Sequence, residues 1–357
     1  MLHVTFAGWA ATIGLIAALF VLDLFVSRPS HAHEVGFREA VSASVFYIAV
    51  SLAFGVAFGV IAGWDFGTEY FAGYIVEKSL SVDNLFVFVV IMTTFAVPAQ
   101  YQQRVLTFGI LVALVMRAIF IALGAVLISS FSFMFAVFGV LLVATAIQLF
   151  RHRDQDPDVE DNAIIRAARR VLPLTDDYAG GRMLTRMSGR RVGTPLFLVF
   201  VAIASTDLLF ALDSIPAVFG VTDEAFIVFA ANAFALLGLR ALYFLVTGLL
   251  DRLVYLSTGL SLILAFIGIK LLLHYGHLRN DAVPEVTTAT SLIVILLVLT
   301  ITVVASLLKS RRDPEARAHA GSLRDTRAGD HGAAQSATGP DQTNSKPKQS
   351  PLRRLGR

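Results

Sequence analysis

EKSLSVDN, residues Glu77 to Asn84, puts two carboxylates and a lysine inside a segment that is otherwise apolar and long enough to cross a bilayer. Ionisable groups in hydrocarbon are expensive and are kept where function needs them. A second stretch, TDLLFALDSIPA from Thr206 to Ala217, repeats the device, with Asp207 and Asp213 separated by the same six positions as Glu77 and Asp83. The rest of the chain reads as scaffolding for these two stretches.

The composition sets the class. With 357 residues, 56% hydrophobic, 15% charged and a mean hydropathy of +0.72, the chain is too apolar for a soluble protein of this size and reads as an all-α polytopic membrane protein. Cysteine is absent and the six methionines are scattered, which removes disulfide scaffolds, thiol catalysis and soft-metal thiolate sites. A metal bound here is therefore held by oxygen. The net charge of +3 does not point to nucleic acid, because the arginines sit in loops and the tail, as expected beside an anionic inner leaflet.

About nine spans are expected. The first, Val4 to Val26, is too long for a signal-peptide core and has only His3 ahead of it, so it reads as retained. The others are Val41 to Ala62, Tyr70 to Phe95 with the first acidic stretch, Val105 to Leu127 with Arg117, Phe131 to Phe150, Pro195 to Phe219, Ala225 to Leu250, Val254 to His274 and Thr288 to Leu308. Each has about the 20 residues that a spanning helix needs. The connection 151–193 holds nine arginines and seven acids, including Asp154, Asp156, Asp158, Glu160 and Asp161, and reads as a solvated loop with a surface helix near 162–171. The organisation is thus a transmembrane domain over 1–310 and a disordered tail over 311–357.

Placing the basic loop in the cytoplasm also puts Arg28, Arg38, Arg104, Arg252 and the start of the tail inside, and leaves one arginine and no lysine in the outside loops. The N-terminus is expected outside and the C-terminus inside. Trp9 and Trp64 then fall near the outer interface, where indoles prefer to sit.

Aligning Asp83 with Asp213 brings Glu77 onto Asp207. Further on, Arg117-Ala-Ile-Phe matches Arg240-Ala-Leu-Tyr, each arginine lying eight positions after Gly109 or Asn232. Two three-helix units, about 70–150 and 194–274, are predicted. An odd number of spans per unit requires the second copy to insert upside down, the inverted repeat of many transporters.

Four carboxylates in one membrane interior must be protonated, paired or neutralised by a bound cation. Lys78, Arg117 and Arg240 are the candidate charge partners. The plain structural reading is that Glu77 and Asp207 pair with Arg117 and Arg240 and fix helix packing. Asp83 and Asp213 are stronger candidates for metal, since Asn84 and Ser214 add oxygen ligands beside them and Pro216 predicts a break in the second helix. A six-residue step leaves two side chains about 120° and about 9 Å apart on an unbroken helix, so each pair serves two stations or the helix unwinds between them. Ser79, Ser81, Ser205, Thr206 and Asn232 are further oxygen donors, although Ser and Thr in membrane helices more often bond their own backbone. An all-oxygen, carboxylate-rich site suits manganese, magnesium or calcium. Lys270 reads as a snorkelling residue near the outer end and Asp23 as a boundary residue near the inner end.

EKSLSVDNLFVF (Glu77 to Phe88), PLTDDYAG (Pro173 to Gly180), TPLFLVF (Thr194 to Phe200) and DLLFALDSIPAVFGVT (Asp207 to Thr222) together resemble the TerC family of integral membrane proteins. The resemblance covers most of the chain from the first span to the ninth. It implies a multi-pass protein of the bacterial inner membrane, related to the lysine-exporter-type superfamily, whose members are linked to manganese export and whose name comes from tellurite resistance. The family's second motif often has a glutamate three positions before its first aspartate, where this chain has Ala204. An anion such as tellurite fits the acidic interior poorly.

The expected function is efflux of a divalent metal, manganese(II) first, by alternating access around Asp83 and Asp213, with Glu77 and Asp207 as second ligands or proton carriers. Moving two charges outward against 100 mV costs about 4.6 kcal/mol, which makes inward protons the natural coupling. The alternatives are a non-transporting factor that assists assembly or insertion of other membrane proteins, and an indirect role in tellurite or metal stress. An enzyme is not expected: Lys78 beside Ser79 is the only hint of an activated nucleophile, and adjacent helical positions point about 100° apart. No cofactor is implied besides the metal cargo.

Overall fold

The computed structural model describes residues 2, 4–26, 37–153, 175, 182–187, 190–246 and 253–313. The acidic patch, the surface helix expected near 162–171 and the tail beyond 313 lie outside these residues.

Uncharged apolar runs fold as helices because hydrocarbon leaves each backbone N–H and C=O no partner but its own segment. The described residues form ten: α1 (Phe6–Val26), α2 (Phe37–Ala62), α3 (Trp64–Thr94), α4 (Ala99–Ser130), α5 (Met134–Arg151), α6 (Pro195–Phe219), α7 (Ala225–Leu236), α8 (Leu239–Val246), α9 (Leu256–His277) and α10 (Thr288–Arg312). Seven are long and apolar enough to cross a membrane: α1, α2, α4, α5, α6, α9 and α10. The pair α7 and α8, bent by 41°, makes an eighth. Helix α3 has 31 residues and the length to span, but carries Glu77, Lys78 and Asp83 at its centre. One departure from an all-helical chain is an antiparallel hairpin, β1 (Leu184–Met187) with β2 (Arg190–Gly193), pairing Thr185 with Val192.

The expected break at Pro216 is not found. Helix α6 runs through Pro216 to Phe219. This proline lies in the last turn, so few helical hydrogen bonds remain beyond it to be lost. The interruption falls instead at Leu237–Gly238, where Gly238 takes φ +75° and a Cβ would lie 2.7 Å from Tyr47. Both the left-handed backbone and the close ring require glycine there.

Two apolar cores meet at the acidic stretches. One joins Leu85–Met92 of α3 to Val105–Ala113 of α4, Leu196–Ile203 of α6 and Leu239 of α8. The other joins Ala72–Leu80 of α3 to α5, to Ala211–Phe219 of α6 and to α9. Residues 77–84 and 205–214 therefore lie along the seam. Helices α5 and α9 touch backbone to backbone, since a Cβ on Gly139 would meet the Gly268 carbonyl at 2.9 Å and one on Gly268 the Gly139 carbonyl at 2.9 Å.

Polar contacts also tie distant segments together at the two ends of the bundle. At one end the Leu2 amide donates to Glu224 Oε1 (2.8 Å), Thr222 to Glu69 Oε2 (2.6 Å) and Thr288 to the Val221 carbonyl (3.3 Å). His274 Nδ1 also lies 2.9 Å from Glu285 Oε1, and Lys270 interacts with Glu69, Asp223 and Glu285 at that end. At the other end the Tyr255 amide donates to Ser306 Oγ (3.0 Å).

Candidate cation site

Helices α3, α4 and α6 bring one arginine between two carboxylates. Arg117, fully buried on α4, donates through Nη1 to Glu77 Oε1 of α3 and lies 3.4 Å through Nη2 from Asp207 Oδ1 of α6. With its amide oxygen facing the guanidinium, Asn84 accepts from Arg117 Nη2 at 2.9 Å and donates to the Leu80 carbonyl at 3.1 Å. A planar guanidinium presents several donors in a fixed fork and can satisfy three helices at once. This is the packing role weighed for Glu77 and Asp207, filled by Arg117 alone.

The other two basic residues go elsewhere. Arg240, expected beside the second acidic pair, bonds Asp23 Oδ1 of α1 at 2.9 Å, and Tyr47 of α2 donates to the same oxygen at 2.9 Å. Asp23 is thus a partly buried ion-pair partner of Arg240. The cause is the break at Gly238, which turns α8 and Arg240 toward α1 and α2. Lys78 donates to the Ala235 carbonyl at 3.0 Å. Two residues before the interruption, that carbonyl has lost its helical donor, and a cation suits the negative end of α7.

Among the described residues, Asp83 and Asp213 have no basic partner. Asp83 on α3 is 9% exposed, its Oδ1 has no hydrogen-bond donor, and its carboxylate interacts electrostatically with that of Asp213 on α6. Asp213, half-buried, accepts from Thr145 of α5 at 3.0 Å. Thr145 was not anticipated from a span read as uniformly apolar. The available signal was that it is the single hydroxyl between Met134 and Arg151.

Buried polar atoms without partners concentrate here. Of ten such side-chain atoms among the described residues, five belong to the two acidic stretches: Glu77 Oε2, Ser81 Oγ, Asp83 Oδ1, Asp207 Oδ2 and Ser214 Oγ. Asn232 Nδ2 on α7 and Arg117 Nε are two more. Buried polar groups are nearly always satisfied, so these atoms are the ones free to take a further polar partner. Ser79, Ser205 and Thr206 donate to carbonyls of their own helices, to Ile75 in the first case and Ala202 in the others, which leaves their oxygen lone pairs as acceptors. Among the described residues no three acidic or histidine side chains converge to hold a metal ion. The expected four-carboxylate set of Glu77, Asp83, Asp207 and Asp213 is therefore not gathered in this conformation, because Arg117 holds Glu77 and Asp207.

Comparison with known proteins gives the family. Residues 62–314 match the model of the "Integral membrane protein TerC family". Uncharacterized membrane protein Rv2723 of Mycobacterium tuberculosis is 46% identical over 317 residues, 85% of this chain and 79% of that protein. Thylakoid membrane protein TERC, chloroplastic, of Arabidopsis thaliana is 39% identical over 254 residues, 71% of this chain and 66% of that protein. A Photorhabdus laumondii protein, Alx, whose name proposes a membrane-bound redox modulator, is 37% identical over 273 residues, 74% of this chain and 85% of that protein. No solved structure matches. With a family model spanning both acidic helices, their partner Arg117 and every helix from α3 to α10, this chain belongs to the TerC family of integral membrane proteins.

Proposed function

We propose that this protein exports a divalent metal cation, manganese(II) first, across the bacterial inner membrane by alternating access at Asp83 and Asp213. The observation that carries the reading is the unequal treatment of the four carboxylates: Arg117 engages Glu77 and Asp207, while Asp83 and Asp213 interact electrostatically and have no basic partner among the described residues. Four carboxylates against Arg117 and Lys78 leave two negative charges when all are ionised, which one divalent cation balances. The ligands are oxygens, from Asp83 and Asp213 with Ser81 and Ser214 of the same acidic stretches and the amide oxygen of Asn232 on α7. Hard cations with flexible coordination suit such a set. Glu77 and Asp207 form a neighbouring station, freed when Arg117 moves, as second ligands or proton carriers.

The proposed topology has nine crossings, with α3 and the α7–α8 pair each counted as one, the N-terminus outside and the C-terminus inside. It is supported by the contacts of Leu2 with Glu224, Glu69 with Thr222 and Thr288 with Val221, which require one side for segments that nine crossings assign to one side. The arginine-rich connection 151–193 gives the inside face its identity. The inverted repeat is supported by α3 and α6, which enter from opposite ends with matched acidic pairs; Arg240 and the Gly238 break depart from strict symmetry.

The name of Alx raises a redox role as a second reading. This chain holds no cysteine, so thiol exchange is not its own chemistry.

The test is the manganese content of cells lacking endogenous manganese exporters, loaded with the metal and expressing the parent, Asp83→Asn or Asp213→Asn at equal membrane levels. The expected result is lower manganese with the parent alone. Equal manganese in parent, variants and empty vector overturns export and favours the assembly role.

A further inference from the structure

The break between α7 and α8 divides one crossing into two halves with different anchorage. Residues Phe226 to Leu236 of α7 are almost entirely enclosed, and Lys78 ties the Ala235 carbonyl to α3. Helix α8 is described over Leu239–Val246, directly after the break. Leu239 and Tyr243 rest on the core of Leu85, Phe88, Leu106 and Ile203, the part of α3, α4 and α6 that leads from the acidic stretches toward the arginine-rich connection. Gly238, with its positive φ, joins the two halves and lies against Tyr47.

One polar cluster fastens α8 at its first turn. Arg240 Nη2 reaches both the carboxylate (2.9 Å) and the carbonyl (3.3 Å) of Asp23, while the Tyr47 hydroxyl holds the same carboxylate oxygen at 2.9 Å. Arg240 is 8% exposed and its Nη1 has no acceptor among the described residues, so its guanidinium is largely desolvated and incompletely satisfied. Such a pair attracts strongly while formed yet pays for its burial, which is the energetic profile of a contact that can be exchanged. Nothing in the cation site needs Arg240 or Asp23.

We propose that α8 is a gate on the arginine-rich side of the Asp83–Asp213 pair, hinged at Gly238 and held shut by a latch of Asp23 on α1, Tyr47 on α2 and Arg240 on α8. The gate rests on the transport reading for its purpose, and its motion can be read without any transport. Opening swings α8 away from the core of Leu85 and Ile203 and leaves α7 in place, because Lys78 holds α7 independently.

The test uses the full chain, whose lack of cysteine lets one introduced thiol report alone. Leu239→Cys, at a position 2% exposed on α8, and Phe234→Cys, at a position 0% exposed on α7, are reacted in inverted membrane vesicles with a membrane-impermeant maleimide. Combining Leu239→Cys with Asp23→Asn is expected to raise its labelling rate about tenfold, as when an open state populated at about 1% becomes about a tenth of the molecules. Tyr47→Phe, which removes one donor and keeps the ring against Gly238, is expected to give a smaller rise. Labelling at Phe234→Cys stays low in both backgrounds. An unchanged rate at Leu239→Cys in both latch variants overturns the gate, and so does an equal rise at both thiols, which reports general loosening. A failure of manganese export leaves these rates untouched, so the two readings fall separately.

Discussion

Arg117 is the residue on which the site's electrostatics turn. It is fully buried between Glu77 and Asp207, so replacing it with glutamine leaves two carboxylates without their cation. Removing one partner of a buried pair costs about 3–5 kcal/mol, and Arg117→Gln is expected to melt well below the parent in detergent. Arg117→Lys should recover part of that loss, since an ammonium supplies charge without the planar fork. An unchanged melting curve for Arg117→Gln would mean that the pair contributes nothing to folding. Thr145 acts differently, on Asp213 alone. Thr145→Val keeps the shape and removes one hydrogen bond of about 0.5–1.5 kcal/mol, which predicts manganese binding weaker by up to about tenfold in calorimetry. Its melting should change little; an unaltered affinity would detach Thr145 from the site. The arginine and all four carboxylates were legible as charges out of place in apolar runs. Which carboxylate each base chooses was not, because the choice depends on helix rotation and reach that one-dimensional spacing does not contain.

At the scale of elements, α5 and α9 behave as one body. Their backbones approach at Gly139 and Gly268, where neither position has room for a Cβ beside the facing carbonyl. Small residues permit such approach in membranes, where packing rather than apolar burial drives helix association. Gly268→Leu is expected to force the pair apart and, since α5 carries Thr145, to lower both the yield of monodisperse protein and manganese export. Normal yield and export in that variant would show that the contact is dispensable. Helix α6 and the α7–α8 pair teach the opposite lesson about breakers. Pro216 sits too near a helix end to interrupt anything, while Gly238, unremarked in an apolar run, interrupts because its neighbour Tyr47 and its left-handed backbone leave room for no other residue.

At the scale of the whole molecule, the proposed cation site falls on the seam between two apolar cores. The carboxylates lie along it, and the arginine-rich connection joins α5 to α6 in the sequence. The proposed topology predicts that single cysteines replacing Ser129 and Asn280 react with an impermeant thiol reagent added to intact spheroplasts, whereas one replacing Arg151 reacts only in inverted vesicles. Labelling of Arg151→Cys from outside would reverse the orientation and turn the export reading into import.

The sequence by itself determined the membrane class, the helical architecture, the family and the two acidic stretches, because apolar length and buried charge are properties of composition along the chain. Only the tertiary structure decided that Arg117 serves both Glu77 and Asp207, that Arg240 leaves the acidic site for Asp23, that Lys78 tends the open end of α7, and that Thr145 reaches Asp213. Each of these depends on where a backbone breaks and which helix face meets which, and those are settled by packing among segments up to 217 positions apart.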